Sequence, residues 1–433
     1  MSSDIPVLPV DENIDKATNS LAESLSDELN LIHVYPPSQS DGMEIAEEFL
    51  ESVHFLELKS RFLRRDKNIS PTCGMEVWYE NNQIKFMFYT PTKDLEKEYR
   101  QQLSGYYPEC EIAQQTSNEG MFIKSDSEQN EAMAVTQFQL KEHFFMPLAS
   151  PDSEDNQIES DPFKRIFNEI DTKDDTRLMI QYMYKPAPYD WTEGQQNTLE
   201  TYASKIQNKG SFKTRYMGLK VEEVEDPGIF ESAASEMRAR LRKPAFFVNI
   251  RLAIICTGTT QEQAEKKAKM RGNSVVNAMT HLYQTRAGQS LEPKTFRLNE
   301  ERNARQILIN MIEREPEFMS KPTRLYEWLW HKLTPNHDII AMTAGELAGH
   351  VHLPSPDDVT TGAISFKDQM VTGEVPPDVD EFEPVPKEER TGFDDDEMPD
   401  LSSKDEDDNG TETENKKDED TPSAFDDLDN KGD

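Results

Sequence analysis

The stretch AFFVNIRLAIICTG, residues 245–258, limits what this chain can fold into more than any other. From Ala245 to Ile255, Asn249 and Arg251 alone interrupt a run of aliphatic and aromatic residues, and the β-branched content of the stretch is that of a strand. A strand apolar at nearly every position is a central one, buried on both faces. The flanking sequence must therefore supply its neighbours.

Those neighbours are legible as two successive sets of elements. In the first, LIHVYPP reads as a strand, and Ile45, Phe49, Val53 and Leu56 recur at helical spacing in DGMEIAEEFLESVHFL. GMEVWYE and QIKFMFY alternate with period two and are joined by Asn81 and Asn82, which suit a tight hairpin turn. Leu95, Tyr99, Leu103 and Tyr106 then stripe a second helix, and CEIAQ closes the set. The order βαββαβ predicts a ferredoxin-like unit over 31–125, with two helices on one face of an antiparallel sheet.

A second such unit is predicted over 132–298. MAVTQFQLKEHFFMPL is its first strand, followed by a helix capped by Asp161, with Pro162 at its first position and Phe163, Ile166, Phe167 and Ile170 on one face. TRLMIQYMYKP is the second strand, and an insertion at 186–243 carries two more helices. After the central strand, Thr259 and Glu262 form an expected capping box, and Ala264, Ala268, Val275, Met279 and Leu282 stripe the long helix. LEPKTFRL supplies the last strand.

Residues 299–356 predict a helical closing segment. It runs through Ala304, Ile307, Leu308, Met311 and Ile312, continues past Trp328 and Trp330 as core anchors, and ends in AMTAGELAGHVHLPSP with Thr343 as a helix cap. The fold class expected is α+β. Residues 1–30 and 357–433 are expected to be disordered.

Charge supports that last boundary. Glu374–Asp433 holds 25 acidic and 6 basic residues, so −19 of the net −36 lies there. So few apolar residues cannot offset the entropy of ordering such a segment. Phe425 and Leu428 in SAFDDLDN are the candidate docking peptide within it. Cys73, Cys110 and Cys256 lack CxxC spacing, which speaks for a reducing compartment. No apolar run reaches membrane-spanning length, and the amino terminus has no signal-like pattern, so a cytoplasmic protein is expected.

The residues offer little catalytic chemistry. No phosphate-cradling G-x-x-x-x-G-K-[ST], dinucleotide, nucleophile-elbow or H-E-x-x-H motif occurs. His350 and His352 lack a cysteine or acidic pair to complete a metal site, and read as a structural or interface pair. No catalytic residue, metal or cofactor is expected. One basic cluster stands out: Arg238, Arg240, Arg242, Lys243, Lys266, Lys267, Lys269 and Arg271, with Arg251 between its two parts. It is either a solvated face or a docking face for DNA or an acidic partner.

Taken together, QIKFMFYTP with YYPECEI, RLRKPAFFVNIRLAI with its long helix, and MTAGELAGHVHLPS resemble the region ahead of the motor domain in P-loop ATPases of conjugation and type IV secretion, including coupling-type and HerA/FtsK-like DNA pumps. The resemblance spans roughly residues 31 to 356. In that family an HLP-like motif precedes the Walker A loop; here SPDDVTTGAISF and the acidic segment follow, so no ATPase residue carries over.

The resemblance implies a non-catalytic accessory or scaffold subunit of a DNA-transfer machine, at the periphery of a membrane-bound complex. A separate P-loop ATPase would dock through Leu347, His350, Val351, His352, Leu353 and Pro354. The alternative is a nucleic-acid-binding module, whose acidic tail competes with DNA for the basic cluster. Oligomerisation is left open.

Overall fold

A computed structural model of the chain describes residues 5–12, 14, 16, 30–37, 42–56, 58–62, 65–80, 83–114, 128–151, 153, 157–158, 161–169, 176–187, 196–209, 227–240, 243–294, 300–316 and 340–354. The chain divides into two units, Met1–Glu374 and Val375–Asp433; the described residues all belong to the first. Arg242, Trp328, Trp330, Phe425, Leu428 and the Asn81–Asn82 turn lie outside them.

In chain order the elements are β1 (Val7–Pro9), β2 (Asn30–Tyr35), α1 (Met43–Val53), β3 (Leu58–Phe62), β4 (Arg65–Ile69), β5 (Cys73–Glu80), β6 (Gln83–Thr90), α2 (Lys93–Tyr106) and β7 (Glu111–Gln114). They continue with β8 (Glu131–Leu140), α3 (Pro162–Glu169), β9 (Thr176–Pro186), α4 (Gln196–Lys209), α5 (Pro227–Arg240), β10 (Ala245–Thr257), α6 (Gln261–Leu282), β11 (Leu291–Pro293), α7 (Glu300–Ile312), β12 (Ile340–Thr343) and α8 (Ala344–Ala348). The protein is α+β, built on a ten-stranded sheet in which every pairing is antiparallel. β3 and β4 form a separate two-stranded ribbon, an element not anticipated from the sequence.

The first set of strands lies in the order β7-β2-β6-β5 and the second in the order β11-β8-β10-β9, so each runs fourth, first, third, second in its own chain order. The second strands of the two sets, β5 and β9, pair with each other from Cys73↔Tyr184 to Tyr79↔Leu178. The predicted stretches 31–125 and 132–298 therefore share one sheet and one compact unit. β10 is central, as its composition requires. β9 flanks it along one edge, while β8 covers Arg251–Thr257 and β12 covers Ala245–Val248 on the other.

Strand alternation builds two cores. One face sends Met75, Val77, Phe86, Phe88, Ile180, Tyr182, Ile250 and Leu252 into a layer with α1, α2, α3, α6 and α8. The other sends Trp78, Met87, Met133, Val135, Met179 and Ile255 against Ala304, Ile307, Leu308 and Met311 of α7. The amino-terminal arm completes both: Leu8, Val10 and Ile14 join the α7 core, and Ile5 reaches the other one. Disorder throughout residues 1–30 is thus corrected, because β1 pairs with β8 at Val7↔Ala134 and four arm side chains are buried. Gly272 of α6 admits the arm; a Cβ there would stand 2.5 Å from Ile5 Cδ1 and 3.1 Å from Ala134 Cβ.

Other local expectations hold or shift by a residue. Asp161 Oδ1 accepts from the Phe163 amide at 2.7 Å, capping α3 as predicted. The cap of α6 is Thr260, not Thr259, and accepts from the Gln263 amide at 3.3 Å; Thr259 instead holds the Gln263 side chain. The closing segment is not all helix, because Ile340–Thr343 is a strand.

Where β5, β9 and β10 adjoin, a polar row is buried beneath the end of α7. Glu76, Gln181 and Arg251 are successive cross-strand neighbours, all fully buried. Gln181 donates to Glu76 at 2.9 Å, and Arg251 donates to Gln181 at 3.1 Å. The last carbonyls of a helix lack intrahelical partners. Here Gln181 donates to Met311 O at 2.9 Å, Arg251 to Asn310 O at 2.8 Å and to Glu315 O, and Arg314 to Ile312 O at 3.1 Å.

Arg314 ends that helix with φ 53°, a left-handed conformation usually taken by glycine. The Glu315 and Arg314 amides return to Asn310 O and Met311 O at 3.0 and 3.3 Å, the pairing of a Schellman motif. Its side chain stands 2.9 Å from Glu76, a buried ion pair.

Two measurements test this account. Arg314→Gly relieves roughly 1–2 kcal/mol of backbone strain but leaves Glu76 buried without its cation, a loss of about 3–5 kcal/mol. Urea unfolding should therefore show net destabilisation of about 2 kcal/mol, and a more stable variant would contradict the balance. Gly272→Ala should speed amide exchange at Leu8 and Val10 ahead of the sheet interior; unchanged exchange there would mean the arm does not depend on that close approach.

Candidate functional site

The segment that carries the HLP-like motif meets the insertion at the end of α5. Arg240, nearly buried, donates to Phe144 O, Ala341 O and Glu346 Oε2, each at 2.7 Å. Glu346 also accepts from the Thr343 amide at 2.7 Å and from the Leu148 amide at 2.8 Å. Thr343 in turn accepts from the Glu346 amide at 3.3 Å, which completes a capping box for α8. One carboxylate thus ties together the insertion, the 144–148 loop and the closing segment. Buried charges persist when they are paired and hydrogen-bonded, as the Arg240 terminal nitrogens and both Glu346 oxygens are.

Above this pair lies a cavity of about 240 Å³. Ser150, Ser153, Ser232, Ser235, Glu236 and Lys243 line it, with Arg240 and Glu346. Ser153 donates to Glu236 at 2.8 Å, and the buried Arg240 Nε has no hydrogen-bond partner. Hydroxyls with two acidic and two basic side chains at the wall suit hydrogen bonding to water or a small polar molecule.

The two histidines lie deeper. His350 is fully buried, its ring stacked 3.6 Å from that of Tyr283, and neither ring nitrogen has a hydrogen-bond partner. Burial, aided by His352, pulls its pKa down to about 3. His352 lies 3.0 Å from Asp161 Oδ2 and stacks on Phe163. Burial alone would push Asp161 up, but the His352 ring and the Phe163 and Lys164 amides hold it below the usual carboxylate value.

These placements correct two expectations. Leu347, His350, Val351, His352, Leu353 and Pro354 are all buried within the chain's own core, so they present no docking surface. α8 packs on α1, and β12 pairs with β10. The basic cluster is not one face either: Arg240 and Arg271 are buried, and Arg251 belongs to the polar row. Arg238 pairs with Glu200 at 3.1 Å, and half-buried Lys267 donates to Thr257 O at 3.0 Å. Lys243, Lys266 and Lys269 are exposed. The organising role of Glu346 was missed, although Thr343 and Glu346 stand at capping-box spacing.

Residues 8–365 match the model of DUF8128, a domain of unknown function. The chain belongs to the DUF8128 family. The DUF8128 match begins within β1, takes in every element from there through α8, and stops before the acidic stretch from Glu374. No curated protein matches the chain.

Acid should expose the burial of His350. Its folded pKa lies below the unfolded value of 6.5, so the unfolded state takes up a proton first as pH falls. Stability is then lost between pH 6.5 and about 3, at about 1.4 kcal/mol per pH unit for this group. His33, pulled down to about 4 by burial and Lys85, adds a second proton over part of that range. His350→Phe keeps the stacked ring and should flatten the slope of stability against pH by about one proton. An unchanged slope in urea titrations from neutral to mildly acidic pH would rule out this origin.

Proposed function

We propose that this DUF8128 chain is a non-catalytic accessory or scaffold subunit of a DNA-transfer machine of the conjugation or type IV secretion kind. It would work beside a P-loop ATPase on the cytoplasmic side of a membrane-bound complex. Among the described residues no helix is long and apolar enough to cross a membrane. The body is read here as two ferredoxin-like units joined edge to edge, a reading supported by the repeated strand order and by the β5–β9 pairing.

The observation that carries the proposal is the placement of residues 340–354. This stretch resembles the junction ahead of such a motor, and it closes the fold: β12 fills the edge of β10, α8 seats on α1, and the His350–Pro354 segment is buried. A pre-motor module has to be complete at that point, before the chain passes to a neighbour. Because these residues are internal, the ATPase would contact another part of the surface.

Affinity purification of the tagged chain from its native host, after cross-linking, should recover a P-loop ATPase, and deleting the gene should lower DNA transfer. Recovery of unrelated proteins alone, with transfer unchanged, would refute the proposal.

A further inference from the structure

Ser232, Ser235, Glu236, Ala239 and Arg240 stand at i, i+3, i+4, i+7 and i+8 along α5, so they share one helix face, and together they line the cavity over the Arg240–Glu346 pair. A helix face turned toward its neighbours is ordinarily apolar. This one carries two hydroxyls, a carboxylate and a guanidinium, while Ala233, Ala234 and Met237 of the same helix go into the core. The cavity, about 240 Å³, is several times the share of one water, roughly 30 Å³. It falls below the roughly 300–1,000 Å³ of pockets that take drug-sized ligands, so its occupant is small.

Burial separates a floor from a mouth. Arg240, Glu346 and Thr343 are buried, Glu236 is half-buried, and Ala239 and Lys243 are exposed. At the floor both Glu346 oxygens accept hydrogen bonds, from Arg240 and from the Leu148 and Thr343 amides. The terminal nitrogens of Arg240 are engaged as well, but its Nε, in a residue only 5% exposed, has no partner among the described residues. A buried donor left unpaired is costly, and a cationic one bonds most strongly to an anionic oxygen.

Toward the mouth, Glu236 accepts from Ser153 at 2.8 Å. A carboxylate has about four lone-pair sites, so that bond does not exclude a cationic donor brought by a ligand. Glu236 and Glu346 balance Arg240 and Lys243, which leaves the wall without net charge. A bare anion would meet Glu236 and a bare cation would meet Lys243, whereas a zwitterion matches both ends.

We infer that this cavity binds a small free α-amino acid, its carboxylate toward Arg240 and its ammonium toward Glu236. Pro147, Leu148 and Ala239 are the apolar residues among the described lining, with no aromatic ring, so the ligand's side chain is short or polar. Its binding would fasten the insertion, through α5, to the closing segment, through Thr343 and Glu346, whether or not a motor associates.

Isothermal titration calorimetry of the full chain with glycine, L-alanine and L-serine tests it. At least one should bind saturably. Propionate, which lacks the ammonium, and alanine methyl ester, which lacks the carboxylate, should each bind at least about 10-fold more weakly. Glu236→Gln should weaken the amino acid by about 10-fold and leave propionate unchanged. Ala239 is exposed, so Ala239→Trp should keep the urea midpoint of the body while its ring closes the mouth and abolishes binding. No saturable binding of the three amino acids at millimolar concentration, equal binding of propionate or inorganic phosphate, or full binding by the tryptophan variant would each overturn the inference.

Discussion

The pairing of β5 with β9 is the constraint on which the rest of this structure depends. Either half alone would present the second strand of its set as a long, apolar, open edge, a feature that natural proteins cover or blunt. Joining the two edges removes the liability and creates one sheet wide enough to need cover on both sides. Between them runs a row of uncharged and charged groups, Glu76, Gln181 and Arg251, that could not be buried without donors and acceptors in fixed places. The carbonyl end of α7 provides the acceptors, so the helix on one face and the joint between halves stabilise each other. The hydroxyls of Tyr99 and Tyr184 bond across the same joint on the opposite face.

Much of the framework was legible because it rests on local patterns. β9 spans the residues read as TRLMIQYMYKP, and the central rank of β10 follows from its composition. What escaped was non-local. The amino-terminal arm was expected to be disordered; its four buried apolar side chains sit in a short stretch broken by Pro6 and Pro9 and by Asp11 and Glu12, and their cover comes from α6, α7 and the sheet. The ribbon of β3 and β4 was hidden because high charge masks an alternating pattern. β12 was read with the helix that follows it, since four residues are too few to reveal a period.

The candidate site shows the same division. Thr343 as a cap was readable from residue type, whereas the joining of Arg240 to Glu346 across more than a hundred positions was not. Arginines clustered in sequence suggested a shared surface, yet neighbours on α5 part ways: Arg238 meets Glu200 near solvent while Arg240 turns inward. Charge along a chain predicts charge on a surface only where the helix face is known. His352 and Asp161 were each seen alone, and only the fold makes them a pair.

The late arrival of β12 has a consequence for biosynthesis. On a ribosome the first four residues of β10, Ala245–Val248, emerge long before their partner at Ile340–Thr343, and β8 does not reach them. Until then that apolar stretch carries an unoccupied hydrogen-bonding edge, the kind of transient exposure that invites mispairing and recruits chaperones. A chain truncated after α7 but before Ile340 would keep both cores and lack only that edge's cover, so β12 works as the clasp that shuts it.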